Sequence, residues 1–174
     1  SLWRSKGVEP DCVVGHSMGE VAAAHIAGML SLEDAVQIIC RRSRLLKRIS
    51  GQGAMALVEL TVADAEASIV NYSDKLSVAV SNGPRSTVLA GETHALDEVL
   101  ARLEARGVYC RRVKVDVASH SPQVDPLRRD LLTLLRNVQP NTGRVTMWST
   151  VTRTQQQGPD LVAAYWAANL REPV

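Results

Sequence analysis

Between a short β-branched run, Cys12-Val13-Val14, and an alanine-rich stretch ending near Gly28 stands the pentapeptide Gly15-His16-Ser17-Met18-Gly19. Glycines two residues either side of a serine let a chain pass from a strand into a helix through one sharp turn that lifts the hydroxyl clear of the backbone. Such a turn demands a strand behind it and a helix ahead. The run before Gly15 lacks polar alternation and reads as a buried strand of a parallel sheet, and the stretch after Gly19 reads as a helix. This constrains the fold to the α/β class and makes Ser17 a candidate nucleophile, an ordinary tight turn being the alternative. The Met18 N–H would then sit at a helix N-terminus, where it can stabilise an oxyanion.

With 174 residues, the chain suits one domain with room for a small insertion. Hydrophobic residues make up 45% and charged residues 22%, the balance of a globular chain and not of a disordered or fibrous one. Val21 to Leu32, though uncharged, is too short to span a membrane, and no cleavable signal peptide opens the chain. Twenty basic residues are interleaved with eighteen acidic ones, so no basic stripe offers itself to nucleic acid. Cys12, Cys40 and Cys110 are scattered in apolar contexts and are expected to be buried small hydrophobes in a reducing cytoplasm. No metal-ligand spacing, phosphate loop or dinucleotide fingerprint is present.

Ser1 to Lys6 reads as the last turn of a helix, ended by Gly7. Ser31, with Asp34 three residues on, is a good cap for a helix running to about Ile49. From Ala54 the period changes. Residues 54–60 read as a strand, Val62–Tyr72 as a helix, Leu76–Val80 and Thr87–Ala90 as strands, Thr93–Arg106 as a helix and Val108–Val115 as a strand. That βαββαβ order is the ferredoxin-like, split-βαβ unit. Beyond it come a loop at Ala118–Val124, a helix at Pro126–Arg136, a strand at Val145–Thr150, a loop at Gln155–Gln157 and a helix at Asp160–Ala168. A chain that starts on a helix end and at once enters a central strand is expected to be cut from something longer.

Arg42 falls between Ile39 and Leu46, inside the apolar stripe of the Leu32–Ile49 helix, whereas Arg41, Arg44, Lys47 and Arg48 lie off its centre. An unpaired buried charge is very costly, so a guanidinium there needs an anion. That anion is either an internal carboxylate or the carboxylate of a substrate held by two hydrogen bonds. Of four histidines, His16 is expected to pack within the turn, His25 lies within the alanine-rich helix and His94 starts an exposed one. His120, in the polar loop Val117-Ala118-Ser119-His120-Ser121-Pro122, is the best candidate base for Ser17. Asp116 and Asp125 could complete a triad, but a strand end and a helix cap explain them as well.

Taken together, Gly-His-Ser-Met-Gly-Glu at 15–20, Arg-Arg-Ser-Arg-Leu-Leu at 41–46, Gly-Ala-Met-Ala at 53–56, Val-Ala-Ser-His at 117–120 and Asn-Leu-Arg-Glu-Pro-Val at 169–174 resemble the malonyl/acyl-CoA:acyl-carrier-protein transacylases, specifically the acyltransferase domain of a type I polyketide synthase. The wording around His120 is similar to actinobacterial, mycocerosic-acid-synthase-like enzymes of methyl-branched lipid synthesis. The resemblance implies an α/β-hydrolase-like core formed by residues 1–53 and 117–174, with a ferredoxin-like subdomain, residues 54–116, inserted. It implies a Ser17–His120 dyad, an oxyanion donor at the Met18 N–H, Arg42 on the free carboxylate of the acyl group, and a backbone carbonyl at Asn169 orienting the histidine. Val117, Ala118 and Ser119 would set the extender unit, and a small Ser119 leaves room for an α-methyl group, favouring methylmalonyl over malonyl.

No bound cofactor is implied; CoA thioester and carrier-protein phosphopantetheine serve as substrates. The implied partners are the acyl carrier protein and ketosynthase domains of the same megasynthase. Such domains also carry an N-terminal glycine-glutamine motif that supplies a second oxyanion donor, which is expected to precede Ser1. Internal Gly51-Gln52-Gly53 is not that motif. Rival readings are a serine esterase or thioesterase, which has no use for a buried Arg42, and a non-catalytic docking module.

Overall fold

The structure, a computed structural model, describes residues 2–174, with Arg4 described by its backbone alone. In chain order the elements are β1 (Cys12–Val14), α1 (Gly19–Ile26), α2 (Leu32–Leu46), β2 (Gly53–Val58), α3 (Val62–Ser68), β3 (Leu76–Gly83), β4 (Ser86–Glu92), α4 (Thr93–Ala105), β5 (Cys110–Arg112), α5 (Arg128–Leu135), β6 (Thr146–Trp148), β7 (Gln155–Gln156) and α6 (Ala163–Arg171). Tighter 3-10 turns occupy Arg4–Lys6, Lys47–Ile49, Val70–Tyr72 and Pro122–Leu127. Ser1, assigned from sequence to an opening helical turn, lies outside the described residues.

Two sheets divide the strands. The smaller has the order β1-β6-β7, with β1 parallel to β6 and β6 antiparallel to β7. The larger is antiparallel throughout, in the order β3-β4-β2-β5. Period-2 alternation gives each of its faces a different partner. Ala54, Ala56 and Val58 of β2 and Leu89 of β4 pack with α3 and α4 through Ala65, Leu96, Val99 and Leu103. Met55, Leu57, Val88 and Ala90 point the other way, toward Ala118 and Val174. A separate cluster joins α1, α2, α5 and α6 through Val21, Ile38, Leu45, Leu131, Trp166 and Leu170.

Local chemistry explains the element ends. Ser31 Oγ accepts from the Asp34 N–H at 3.0 Å and starts α2. Thr61 does the same for Asp64 at α3. Such caps contribute about 1 kcal/mol each. The helix expected from Pro126 begins instead as a 3-10 turn at Pro122 and becomes α-helical only from Arg128, because Pro126 cannot donate a backbone hydrogen bond. The Val108–Val115 strand shortens to Cys110–Arg112, which lies in register with Ala56–Val58 of β2, and Val113 adds one further backbone hydrogen bond to Met55. The last helix runs three residues later than expected, and the polar Gln155-Gln156 pair forms β7 where a loop was expected.

Strand β1 is a further correction. It is buried on one face only: Val13 packs on the helical cluster, while Cys12 and Val14, the latter 68% exposed, look outward. Cys12 and Cys40 are exposed and Cys110 only partly buried, so none of the three fills a core as expected. Cys40 lies off the buried stripe of α2 that Ile38, Arg42 and Leu45 define.

The larger sheet positions the loop that carries His120. A Cβ added at Gly53 would lie 2.7 Å from the Ala118 nitrogen and 2.8 Å from its Cβ, so β2 and that loop meet at a point where only glycine fits. Gly53→Ala is expected to cost about 1–3 kcal/mol through overpacking. Thermal unfolding should move down by several degrees. An unchanged midpoint would show that the loop does not depend on this contact.

Candidate active site

Ser17 occupies the left-handed region, with φ 51°, at the step from β1 into α1. The turn holds because Gly15 lets the chain close on itself: a Cβ there would sit 2.3 Å from the Glu20 nitrogen. Gly19, in contrast, faces open space, so no contact demands glycine at that position. Met18 is the N-cap residue of α1, which puts its N–H at the positive end of the helix. His16 is exposed and does not pack within the turn as expected.

His120 comes from the distant loop and is only 3% exposed. Its Nε2 lies 2.7 Å from Ser17 Oγ, and its Nδ1 lies 2.7 Å from the Glu172 carbonyl oxygen. A carbonyl can only accept, so Nδ1 carries the proton and Nε2 is left to accept from the serine hydroxyl. The histidine backbone is clamped as well. Its N–H donates to the Leu170 carbonyl at 3.0 Å, and its own carbonyl accepts from Ser77 Oγ at 2.7 Å. Burial lowers the His120 pKa to about 4 against the support of the Glu172 bond, and Arg42 and His16 push it further down.

The residue that orients the histidine is therefore Glu172, through its backbone, and not Asn169. Asn169 instead uses its side chain. Its Oδ1 accepts from Arg42 Nη1 at 2.7 Å, and its Nδ2 donates to the Ser17 carbonyl at 3.1 Å and to Glu20 Oε2 at 2.9 Å. Residue 172 lies just past the C-terminal end of α6, and it is this carbonyl, three residues beyond Asn169, that turns toward the His120 ring.

Arg42 is 4% exposed, and its Nη2 points at Ser17 Oγ at 3.4 Å. Among the described residues no carboxylate forms an ion pair with it, and its buried Nε has no hydrogen-bond partner. Burial lowers its pKa to about 10, which leaves it charged at neutral pH. Of the two anions open to it on sequence grounds, an internal carboxylate in direct contact is absent from the described residues.

Sequence reasoning missed Glu20. This residue, 0% exposed, receives four donors: the Thr150 N–H at 2.5 Å, Thr150 Oγ1 at 2.8 Å, Tyr165 OH at 2.6 Å and Asn169 Nδ2. Burial, and after it the bond to Glu20, raises the Tyr165 phenol well above its usual range, so Tyr165 stays a donor. A glutamate in the first turn of a helix is ordinary, and its partners lie some 130 residues or more away in sequence, so nothing local marked it. Among the residues proposed to read the acyl group, Val117 and Ser119 are partly buried, whereas Ala118 is fully buried against the larger sheet and seats the loop. Asp125 pairs with Arg171, and Asp116 accepts from Ser50; neither touches His120.

The whole chain, residues 1–174, matches the model of the acyl transferase domain. It belongs to the acyl transferase domain family. Erythronolide synthase EryA3 of Saccharopolyspora erythraea is 50% identical over 175 residues, covering all of this chain and 6% of that protein. Among solved structures, the acyltransferase domain from module 8 of the salinomycin polyketide synthase superposes with a TM-score of 0.97 at 43% identity, over 99% of this chain and 41% of that one. The acyltransferase domain of phenolphthiocerol/phthiocerol synthase A from Mycobacterium bovis superposes with a TM-score of 0.93 at 41% identity, over 99% of this chain and 65% of that one. The chain thus spans a small part of the curated relative and less than two-thirds of either solved chain. Among the described residues no helix is long and apolar enough to cross a membrane, and no cluster of three or more His, Cys, Asp or Glu is placed to hold a metal ion.

The histidine environment gives a direct check. In a nuclear magnetic resonance titration, the His120 imidazole should stay neutral until the pH approaches about 4. The folded value lies below the ordinary 6.5, so the unfolded state binds the proton first; the native state loses stability as pH falls from 6.5 toward 4 and holds it fully above. A midpoint near 6.5 would mean that His120 is solvated and not buried against Glu172 and Arg42.

Proposed function

We propose that this chain carries the acyl-transfer centre of a type I polyketide synthase, which loads a malonyl-type extender unit from CoA onto the phosphopantetheine thiol of an acyl carrier protein. The observation that carries the reading is the charged Arg42, buried without a carboxylate of its own, 3.4 Å from a serine hydroxyl that is hydrogen-bonded to a neutral histidine. An esterase needs the serine and histidine but has no use for that cation. The same reading takes residues 54–116 as a ferredoxin-like subdomain set into an α/β-hydrolase-like core of residues 1–53 and 117–174. The all-antiparallel β3-β4-β2-β5 order and the separate hydrophobic clusters support this division.

The geometry supports a two-step acyl transfer through Ser17. His120 Nε2 takes the proton as Ser17 Oγ attacks the thioester carbon, and the Met18 N–H stabilises the oxyanion that forms. Collapse breaks the C–S bond, the sulfur leaves with the proton from His120, and the acyl group stays on Ser17. The carrier thiol then gives its proton to the same nitrogen, attacks the acyl-serine and regenerates the hydroxyl. Glu172 holds Nδ1–H throughout, so the ring shuttles protons at one nitrogen only. Arg42 grips the free carboxylate of the acyl group with Nε and Nη2, the two nitrogens that Asn169 leaves available. The carrier protein and ketosynthase of the same polypeptide would be its partners.

Methylmalonyl is the favoured extender. Ser119 is small and precedes the histidine, leaving space beside the acyl group that a bulky ring would fill. One methyl in an apolar pocket is worth only about 1–3 kcal/mol, so the outcome is a preference and not an absolute bar.

Intact-protein mass spectrometry of the full-length protein, incubated with malonyl-, methylmalonyl- and acetyl-CoA, tests these points. Ser17→Ala should abolish the acyl-enzyme. Arg42→Ala should erase the preference for carboxylated acyl groups, since losing one side of a buried charged contact costs about 2–5 kcal/mol. Retention of the wild-type ratio in that variant sinks the clamp assignment. Equal concentrations of the two carboxylated esters should give mainly methylmalonyl on Ser17; predominant malonyl loading removes the extender assignment.

A further inference from the structure

The hydrogen bonds around Asn169 can be assigned without ambiguity. Arg42 Nη1 is a donor, so the atom facing it is the amide oxygen; the Ser17 carbonyl and Glu20 Oε2 are acceptors, so the atom between them is the amide nitrogen. A flipped amide would set nitrogen against guanidinium and oxygen against two oxygens. Glu20 has no freedom to yield, because Thr150 fixes one of its oxygens and Tyr165 the other. Tyr165 is held in turn by Ser149 Oγ at 2.7 Å, which takes the Val151 and Thr152 N–H groups.

A buried cation and a buried carboxylate therefore stand on opposite sides of one amide. Had Glu20 touched Arg42 directly, the two charges would neutralise each other, and an incoming carboxylate would have to displace a partner already in place. With the amide between them, Arg42 is located by a neutral oxygen and keeps Nε and Nη2 uncommitted to any carboxylate. We propose that Glu20 is a positioning residue for acyl selection: it locks the Asn169 amide so that a neutral acceptor, and not a carboxylate, holds Arg42, keeping the guanidinium available to an acyl-group carboxylate. This rests on the clamp reading of Arg42 and deepens it.

Two variants of the full-length protein test the device, with initial rates of Ser17 acylation by methylmalonyl-, malonyl- and acetyl-CoA read by intact mass, and thermal unfolding alongside. In Glu20→Gln the Thr150 donors hold the new amide oxygen, which turns an –NH2 toward Asn169 and forces the flip that sets nitrogen against Arg42. Its ratio of carboxylated to acetyl loading should fall at least about fivefold through KM for the carboxylated esters, and its unfolding midpoint should drop. The double variant E20Q/N169D has the wild-type net charge and a matched donor and acceptor at the 20–169 contact, but places a carboxylate directly on Arg42. It should recover unfolding midpoint relative to Glu20→Gln while its ratio stays at least about tenfold below wild type.

If the double variant recovers the wild-type ratio along with stability, Glu20 is merely structural and the proposal is overturned. The proposal is equally overturned if Glu20→Gln alone keeps the ratio, a result that decides the matter even if the double variant does not fold. If wild type shows no preference for carboxylated esters, or Arg42→Ala retains it, the clamp reading itself has failed. Failure of the variants with Arg42→Ala behaving as expected removes only the role of Glu20.

Discussion

The hydrogen bond from Arg42 Nη1 to Asn169 Oδ1, 2.7 Å long and spanning 127 residues of sequence, ties α2 to α6, and the surrounding site leans on it. Placing a guanidinium on the buried stripe of a helix is costly unless its donors are met. Here only part of them are. One nitrogen is satisfied by an amide, one lies 3.4 Å from Ser17 Oγ, and Nε is buried with no partner. Ile38 and Leu45, one turn before and after Arg42, are anchored in the helical cluster and hold this face of α2 in place. The same amide also holds the Ser17 carbonyl, so the left-handed turn at Ser17 and the location of the cation are fixed together.

His120 depends on the other half of the molecule. Its loop is seated by Ala118 against the larger sheet, its carbonyl by Ser77 of β3, and its ring by Glu172. The segment bearing Glu172 is itself stitched to β3, since Val174 exchanges backbone hydrogen bonds with Ala79 and Ser81 at 2.9 and 2.8 Å. The antiparallel sheet thus serves as the jig for His120, as the helical cluster does for the serine and arginine. Where the two meet, Ser17 Oγ and His120 Nε2 come to 2.7 Å.

Several of these features were legible in the sequence for definite reasons. The pentapeptide at Ser17 carries its own geometry, and Arg42 stands out because a charge on an apolar stripe is a contradiction that needs a partner. The strand and helix order from Ala54 to Val115 follows from changes of hydrophobic period, though pairing trims the last strand to three residues. What stayed hidden has no residue-type signal. A backbone carbonyl such as that of Glu172 looks like any other, and Glu20 becomes a buried anchor only through tertiary partners. Cys12 and Val14 were misjudged because periodicity cannot tell whether a second layer covers a strand's other face. Gly19 fits the motif, yet no contact in the fold requires it.

A crystal structure of the full-length protein acylated on Ser17 by a carboxylated acyl group tests the central claim most directly. The account predicts the free carboxylate of the acyl group about 3 Å from both Nε and Nη2 of Arg42, with Asn169 unmoved and the ester carbonyl oxygen facing the Met18 N–H. A carboxylate directed to solvent, with Arg42 Nε still unpartnered, would contradict it.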